Sequence, residues 1–451
     1  IAGTAFCWFL YRWIALVFGR TAAWVGLIFC SFLPPLIALS SEVRQYGLLL
    51  CLLGAALYLV ERALAAKSPV EMLLAYVCVW LAVWTHYSAL LFAAGLGAYL
   101  FFRLMEDGFP GSVKIAWGAS QIVLLALFDF LYRTHLERLN AGQAITSQPW
   151  LANSVFHPER QSFFVFVLGR SFGVFQFVFG QLAVGDVAGV LFLLGVVSLI
   201  RRPAQFMPSE RDSKMHARWI ALLLALPFAL NCGAALLGAY PYGGTRHSAF
   251  LIPFAFAGVG LGLAWLLKRD GMRAVAATLA IAIVSAAFGK PHRPFMTRVD
   301  QSSENMSRAM TSLERQVRAD GVILVDYQTS LLFARYLCGS EAVSYDRSLP
   351  GFLIFRCAGF RVLSTGPETP VFTARAFLHD QLWEVLESPM GLKPGDRIWV
   401  VQAGWDIRLG DELRTTRPEF RDLKVESFGR NIEMFEVEVG SAGPVMESLS
   451  R

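Results

Sequence analysis

The chain has 451 residues, 55% of them hydrophobic and only 16% charged, with a mean hydropathy of +0.49. A soluble protein of this size carries about 25% charged residues, so one water-soluble globule is excluded. The net charge of +6 does not point to nucleic acid either: residues 1–289 hold 20 Lys and Arg against 12 Asp and Glu, whereas residues 290–451 hold 20 against 22.

The basic excess therefore belongs to the apolar two thirds. The sequence predicts a polytopic α-helical membrane domain over 1–289 and a small soluble α/β domain over 290–451. The first run, "IAGTAFCWFLYRWIALVFGR", starts without an initiator Met or a signal peptide. The chain thus reads as one that lacks its true N-terminus.

Apolar runs at 1–18, 21–40, 46–64, 70–84, 87–103, 112–132, 184–200, 219–239, 248–267 and 273–289 predict about ten transmembrane helices. A crossing needs roughly 20 residues, so the shortest runs must be helped by their flanks. An eleventh stretch, "QSFFVFVLGRSFGVFQFVFGQL" at 161–182, carries Arg170 and Gln176 at mid-length. With 1–18 running toward the cytoplasm and 161–182 not crossing, 14 of the 20 basic residues of 1–289 fall on the cytoplasmic side. That agrees with the positive-inside rule. The stretch at 161–182 is therefore expected to be an interfacial or re-entrant helix on the outer side. The outer face then holds "SSEVRQY", the break "THYS", the 133–160 loop, "YPYGGTRH" and the soluble domain.

The unusual polar residues lie in those outer segments. Glu42 and Arg44 sit at the junction "SSEVRQYGLLL", with scarcely a loop to hold them. Charges at that depth pair with one another or face a watery cavity. They read either as a salt bridge fixing the turn or as a phosphate contact, the guanidinium offering a planar donor fork. In "WTHYS", His86 and Tyr87 suit a sugar or phosphate equally well as a satisfied helix break. Asp129 reads as a buried carboxylate near the outer end of its helix. The 133–160 loop, with His135, Glu137, Arg138, Trp150, His157 and Glu159, reads as a carbohydrate-binding lid or a solvated connector.

"YPYGGTRH" is the densest group. Tyr240, Tyr242, Arg246 and His247 flank Gly243 and Gly244, where a backbone can approach a ligand closely. An anion clamp at a helix start and a capped loop meeting lipid headgroups are both consistent with it.

Five of the seven cysteines (Cys7, Cys30, Cys51, Cys78, Cys232) lie in apolar runs, where Cys acts as a small hydrophobe. Cys338 and Cys357 lie in the soluble part, and spacing alone leaves their pairing open. No CxxC or His/Cys cluster indicates a metal site. In the last third, helices are expected at "SSENMSRAMTSLERQVRAD", "SLLFARYLCG" and 373–387. Strands are expected at "GVILVDY", "GFRVLST", "DRIWVVQAG" and "IEMFEVEV", in a partly parallel sheet.

In order and spacing, "GRTAAWVGLIFCSFLPPLIALSSEVRQYGLLL", "WTHYSALL" and "YPYGGTRHSAFLIPFAFAGVGLGL" resemble the GT-C superfamily of polyprenyl-phosphate-sugar-dependent glycosyltransferases. The nearest groups are the protein-O-mannosyltransferase-like and aminoarabinose-transferase-like bacterial enzymes. The resemblance covers about 1–289. It implies a lipid-linked sugar donor, a glycan, lipid or protein acceptor, and transfer at the outer face of the cytoplasmic membrane. The soluble domain would then be periplasmic. By position, Arg44 and Arg246 would contact donor phosphate. Glu42, Tyr46, His86, Tyr87, Tyr240, Tyr242 and His247 would line the pocket. The resemblance leaves open a divalent cation at the phosphate. It places the catalytic base in the first external loop, upstream of Ile1, so no residue of this chain receives that role and the fragment alone is expected to be inactive. A transporter or flippase of lipid-linked or anionic substrates is the competing expectation, and a catalytically inactive relative a third.

Overall fold

The computed structural model describes residues 1–41, 45–106, 108–137, 151, 153–203, 213–268, 270–288, 303–338, 346, 351–365, 382–387, 390–403, 409–429 and 432–440. The chain divides into two compact units, Ile1–Phe295 and Met296–Arg451.

The first unit is helical. Its helices are α1 (Ala2–Phe18), α2 (Arg20–Phe32), α3 (Pro34–Ser41), α4 (Tyr46–Ala66), α5 (Pro69–Thr85), α6 (Ala89–Met105), α7 (Gly111–Leu131), α8 (Phe163–Phe179), α9 (Leu182–Arg201), α10 (Ser213–Leu236), α11 (Ile252–Leu266) and α12 (Gly271–Phe288). Local chemistry sets several boundaries. Ser68 caps α5 by accepting from the Glu71 amide at 3.3 Å, with Pro69 in the first turn, where a missing N–H costs nothing. The Pro34–Pro35 pair removes two amide donors and bends α2 against α3 by 66°.

Helices cover the greater part of each of the ten apolar runs, but length and composition together qualify fewer as membrane spans. Among the described residues, six helices are long and apolar enough to cross, or seven if the bent α2–α3 pair is one span. Four more, α1, α5, α6 and α8, are apolar but shorter, at 17 residues each. Ile115, Ile122 and Leu125 on α7, Phe164 and Val165 on α8 and Ile283 on α12 are all at least 65% exposed. Outward apolar surface of this extent calls for a hydrocarbon solvent. The unit has the character of a multi-pass membrane domain.

Inside, helices approach where glycine allows it. A Cβ at Gly195 of α9 would lie 2.2 Å from the Gly258 carbonyl of α11, and one at Gly262 would lie 2.1 Å from the Leu191 carbonyl. Helix association in lipid relies on such close packing rather than on a hydrophobic drive.

The helix α8 occupies a distinctive place. Phe166 packs on Phe156, and Gly173 abuts Gly244. Its second half turns inward to Phe29, Phe192 and Phe256, and it ends at Gly180 against Pro35 and Ser285.

The second unit is a six-stranded sheet between helices. Its elements are α13 (Ser303–Gln316), β1 (Val322–Val325), α14 (Tyr327–Tyr336), β2 (Phe352–Cys357), β3 (Phe360–Thr365), α15 (Leu382–Glu387), β4 (Arg397–Gln402), α16 (Leu409–Thr416), β5 (Arg421–Ser427) and β6 (Glu433–Glu438). The strand order is β2-β3-β1-β4-β6-β5, with β1 parallel to β3 and β4 and the outer pairings antiparallel. Alternation along β1 serves two cores. Ile323 and Val325 pack with Met306, Leu313 and Phe333, while Val322 and Leu324 pack with Leu382, Leu386 and Leu413. The helix expected over 373–387 is seen at Leu382–Glu387, the residues just before it lying outside the described part. Cys338 and Cys357 form a disulfide that ties the end of α14 to β2.

Candidate functional site

One end of the bundle gathers polar side chains from four segments. The break between α5 and α6 presents His86 and Ser88, and the first residue of α4 presents Tyr46. The stretch before α11 presents Tyr240 and His247, and the last turns of α10 present Asn231. The ring centroids of Tyr46 and His86 are 5.2 Å apart, those of His86 and His247 6.1 Å, and those of His247 and Tyr240 6.2 Å, the last pair edge-on.

Hydrogen bonds fix these groups. The Ser88 amide donates to His86 Nδ1 at 3.2 Å, with Ser88 Oγ 2.8 Å from the same nitrogen. Nδ1 is therefore an acceptor, and the ring proton sits on Nε2. Burial pushes the His86 pKa down to about 4, so the imidazole is neutral at physiological pH. The Tyr240 hydroxyl donates to the His247 carbonyl at 3.3 Å, and burial raises its pKa, with a Ser88 hydrogen bond opposing the shift. Asn231, fully buried, donates from Nδ2 to Ser248 Oγ at 3.4 Å. Its Oδ1 has no hydrogen-bond partner among the described residues. An unused buried carbonyl oxygen whose amide neighbours a hydroxyl is suited to a hydroxyl-bearing ligand.

Two arginines stand at the YPYGGTRH segment. Arg246 opens a short 3-10 turn, Arg246–Leu251, and is half-buried. Arg170 of α8 lies against Gly243, whose Cβ position would be 2.9 Å from the arginine Cδ and whose φ is +118°. A side chain at Gly243 would both clash and strain the backbone. The Arg170 guanidinium rests 5.9 Å from the Phe166 ring centroid and pairs with no carboxylate among the described residues.

Of the residues singled out from sequence, Tyr46, His86, Tyr240 and His247 come together with Arg246 near them. Tyr242 does not join them. It is 1% exposed, its hydroxyl is 2.9 Å from Ser171 Oγ, and its amide donates to the Ser154 carbonyl at 2.8 Å. It anchors the turn to α8 and to the 154 segment. Tyr87 packs on the apolar core. Glu42 and Arg44 lie outside the described residues, as do Arg138 and Trp150. Asp129, expected to be buried, is exposed and bonds Arg133 one turn on at 2.9 Å. It sits at the polar end of α7, where a helix-surface pair in water is the cheaper arrangement.

Sequence reasoning missed Ser88, Asn231 and Ser248, and left Arg170 without a role. It also missed a second polar cluster at the opposite end of the same helices. There Tyr99 donates to the buried Glu61 at 2.8 Å, Arg103 pairs with Glu106, and Trp219 Nε1 donates to Glu106 at 2.9 Å. Its carboxylates are taken up by neighbours, which suits a helix lock between α4, α6 and α10.

A cavity of about 520 Å³ lies between α1, α2, α3 and α4, lined mainly by apolar side chains with Ser31, Ser40 and two thiols. It lacks the convergent polar groups of the histidine cluster, so the candidate site is assigned to the latter. In the second unit, Asp326 follows β1 and is buried, but as the N-cap of α14 it accepts from the Thr329 amide and hydroxyl, at 2.9 and 2.5 Å. No group of three or more His, Cys, Asp or Glu able to hold a metal ion occurs among the described residues. No protein-family model matches the chain, and no curated protein is significantly similar to it.

Proposed function

We propose that this chain binds the donor of a membrane glycosyltransferase of the GT-C type, which uses a polyprenyl-phosphate-linked sugar at the outer face of the cytoplasmic membrane. The observation that carries the reading is the joining of His86, His247, Tyr46 and Tyr240 at one bundle end, with Arg246 beside His247 and Arg170 against Gly243. Neutral imidazoles, phenols and a free amide oxygen suit the hydroxyls of a sugar, and guanidinium groups suit a phosphate.

In the transfer, the bond between the anomeric carbon and the phosphate oxygen breaks, and the acceptor oxygen takes its place. The departing phosphate gains charge, which fixed cations stabilise in a water-poor site. The acceptor proton needs a base, and no described residue of this site is given that role. The disulfide Cys338–Cys357 supports an oxidising, periplasmic location for the second unit.

The test is transfer of radiolabelled sugar from the polyprenyl-phosphate donor in membranes holding the full-length protein. Arg246→Ala is expected to lower transfer about 10- to 100-fold, the range of a charge-assisted contact of about 1.5–3 kcal/mol. Arg246→Lys should restore part of it. Wild-type transfer by Arg246→Ala would remove the assignment. Uptake of the lipid-linked substrate into vesicles without transfer would instead favour a transporter.

A further inference from the structure

We propose that Cys7 of α1 and Cys30 of α2 form an oxidisable dithiol, a site of intramolecular disulfide formation facing the cavity between α1 and α4. The two sulfur atoms are 3.1 Å apart and share a hydrogen bond, and both residues line the cavity. The inference does not depend on the proposed transferase activity.

Three features bring the pair together. The helices α1 and α2 are joined by the single residue Gly19 with φ +89°, so they fold back on each other at once. Cys7 and Cys30 lie at nearly equal distances from that turn along the chain, which puts them at the same height on two neighbouring helices. Cys7 is only half-buried, so a small reagent in the cavity meets a thiol backed by a second one. A covalent S–S bond of about 2.05 Å needs the sulfurs to close by roughly 1 Å. Packing as two small hydrophobes would not require sulfur–sulfur contact.

The chemistry is a two-electron exchange with a low-molecular-weight disulfide. One cysteine thiolate attacks the oxidant, whose S–S bond breaks and releases the first small thiol. The second cysteine attacks the mixed disulfide and releases the second small thiol. In total two protein S–H bonds are lost, one protein S–S bond is made, and the oxidant is reduced to two thiols. The bond would lock α1 to α2 on the cavity wall that also carries Ser40 of α3 and Gly47 of α4.

The full chain in detergent is treated with dithiodipyridine, digested and mapped by mass spectrometry. Expected is a Cys7–Cys30 cross-link, lighter by two hydrogens, with release of two thiopyridones and no pyridyl group left on either residue. Cys51, Cys78 and Cys232 should appear only as free thiols or pyridyl adducts. Cys7→Ser and Cys30→Ser should each lose the cross-link. A stable pyridyl adduct on Cys7 or Cys30 in the wild-type chain would overturn the proposal. So would two unreacted thiols there, or a cross-link surviving in either variant.

Discussion

His86 shows how the site's protonation is held. Its ordinary pKa of 6.5 falls to about 4 because burial penalises the imidazolium. The unfolded chain therefore takes up a proton first as pH drops. The stability tied to the neutral ring is complete above pH 6.5, declines through the window, and is gone below about pH 4. Thermal unfolding of the purified protein should thus shift to lower temperature between those pH values, and His86→Asn should flatten that dependence. An unchanged slope in the variant would show that other groups dominate. How far these residues were legible follows from their setting. Tyr46, His86, Tyr240 and His247 stand out as polar residues at breaks in apolar runs. Ser88, Asn231 and Ser248 are small polar residues of a kind common inside membrane helices, and only packing assigns them to the site. Tyr242 looked the equal of Tyr240, yet its hydroxyl meets Ser171, a contact across the bundle that no local pattern encodes.

At the scale of elements, glycines separate positions that need their size from positions that do not. Gly195 of α9 has the Gly258 carbonyl 2.2 Å from its Cβ position, whereas Gly118 of α7 has nothing within 4 Å. Gly195→Val should part α9 from α11 and sharply reduce the yield of folded, detergent-stable protein, read as the monodisperse peak in size exclusion. Gly118→Ala should be neutral or stabilising by up to about 1 kcal/mol, since alanine is the better helix former. The same contrast explains which elements the sequence revealed. Helices with apolar runs were evident, as were β1, β3 and β4, whose residues are mostly buried, and β6, half of whose residues are. β5, "RDLKVES", is an edge strand with largely exposed residues and shows no clean alternation. The strand β2, although apolar, was missed, and the short helix α16 depends on a sheet that gives it a face to cover.

At the scale of the whole molecule, the two units draw on different physics. The first depends on close helix packing under an apolar exterior, the second on a two-faced core and a disulfide. Cys338 and Cys357 are 19 residues apart, so removing the link should cost about 2–4 kcal/mol, mostly by releasing the unfolded chain. In calorimetry of the intact chain, Cys338→Ser should lower the unfolding transition of the second unit and leave that of the first in place. A shift of both together would show that the units unfold as one.

The placement of α8 has a consequence for biosynthesis. It packs on Phe29 and Pro35, made long before it, but also on Gly244 and Ser285, which the ribosome adds only later. The Ser285 hydroxyl donates to the Phe179 carbonyl across 106 residues of sequence. When α8 leaves the exit tunnel, half of its seat does not yet exist. Final docking of α8 must wait for α12, so the helix that carries Arg170 is fully seated only when the last described helix of its unit has been synthesised.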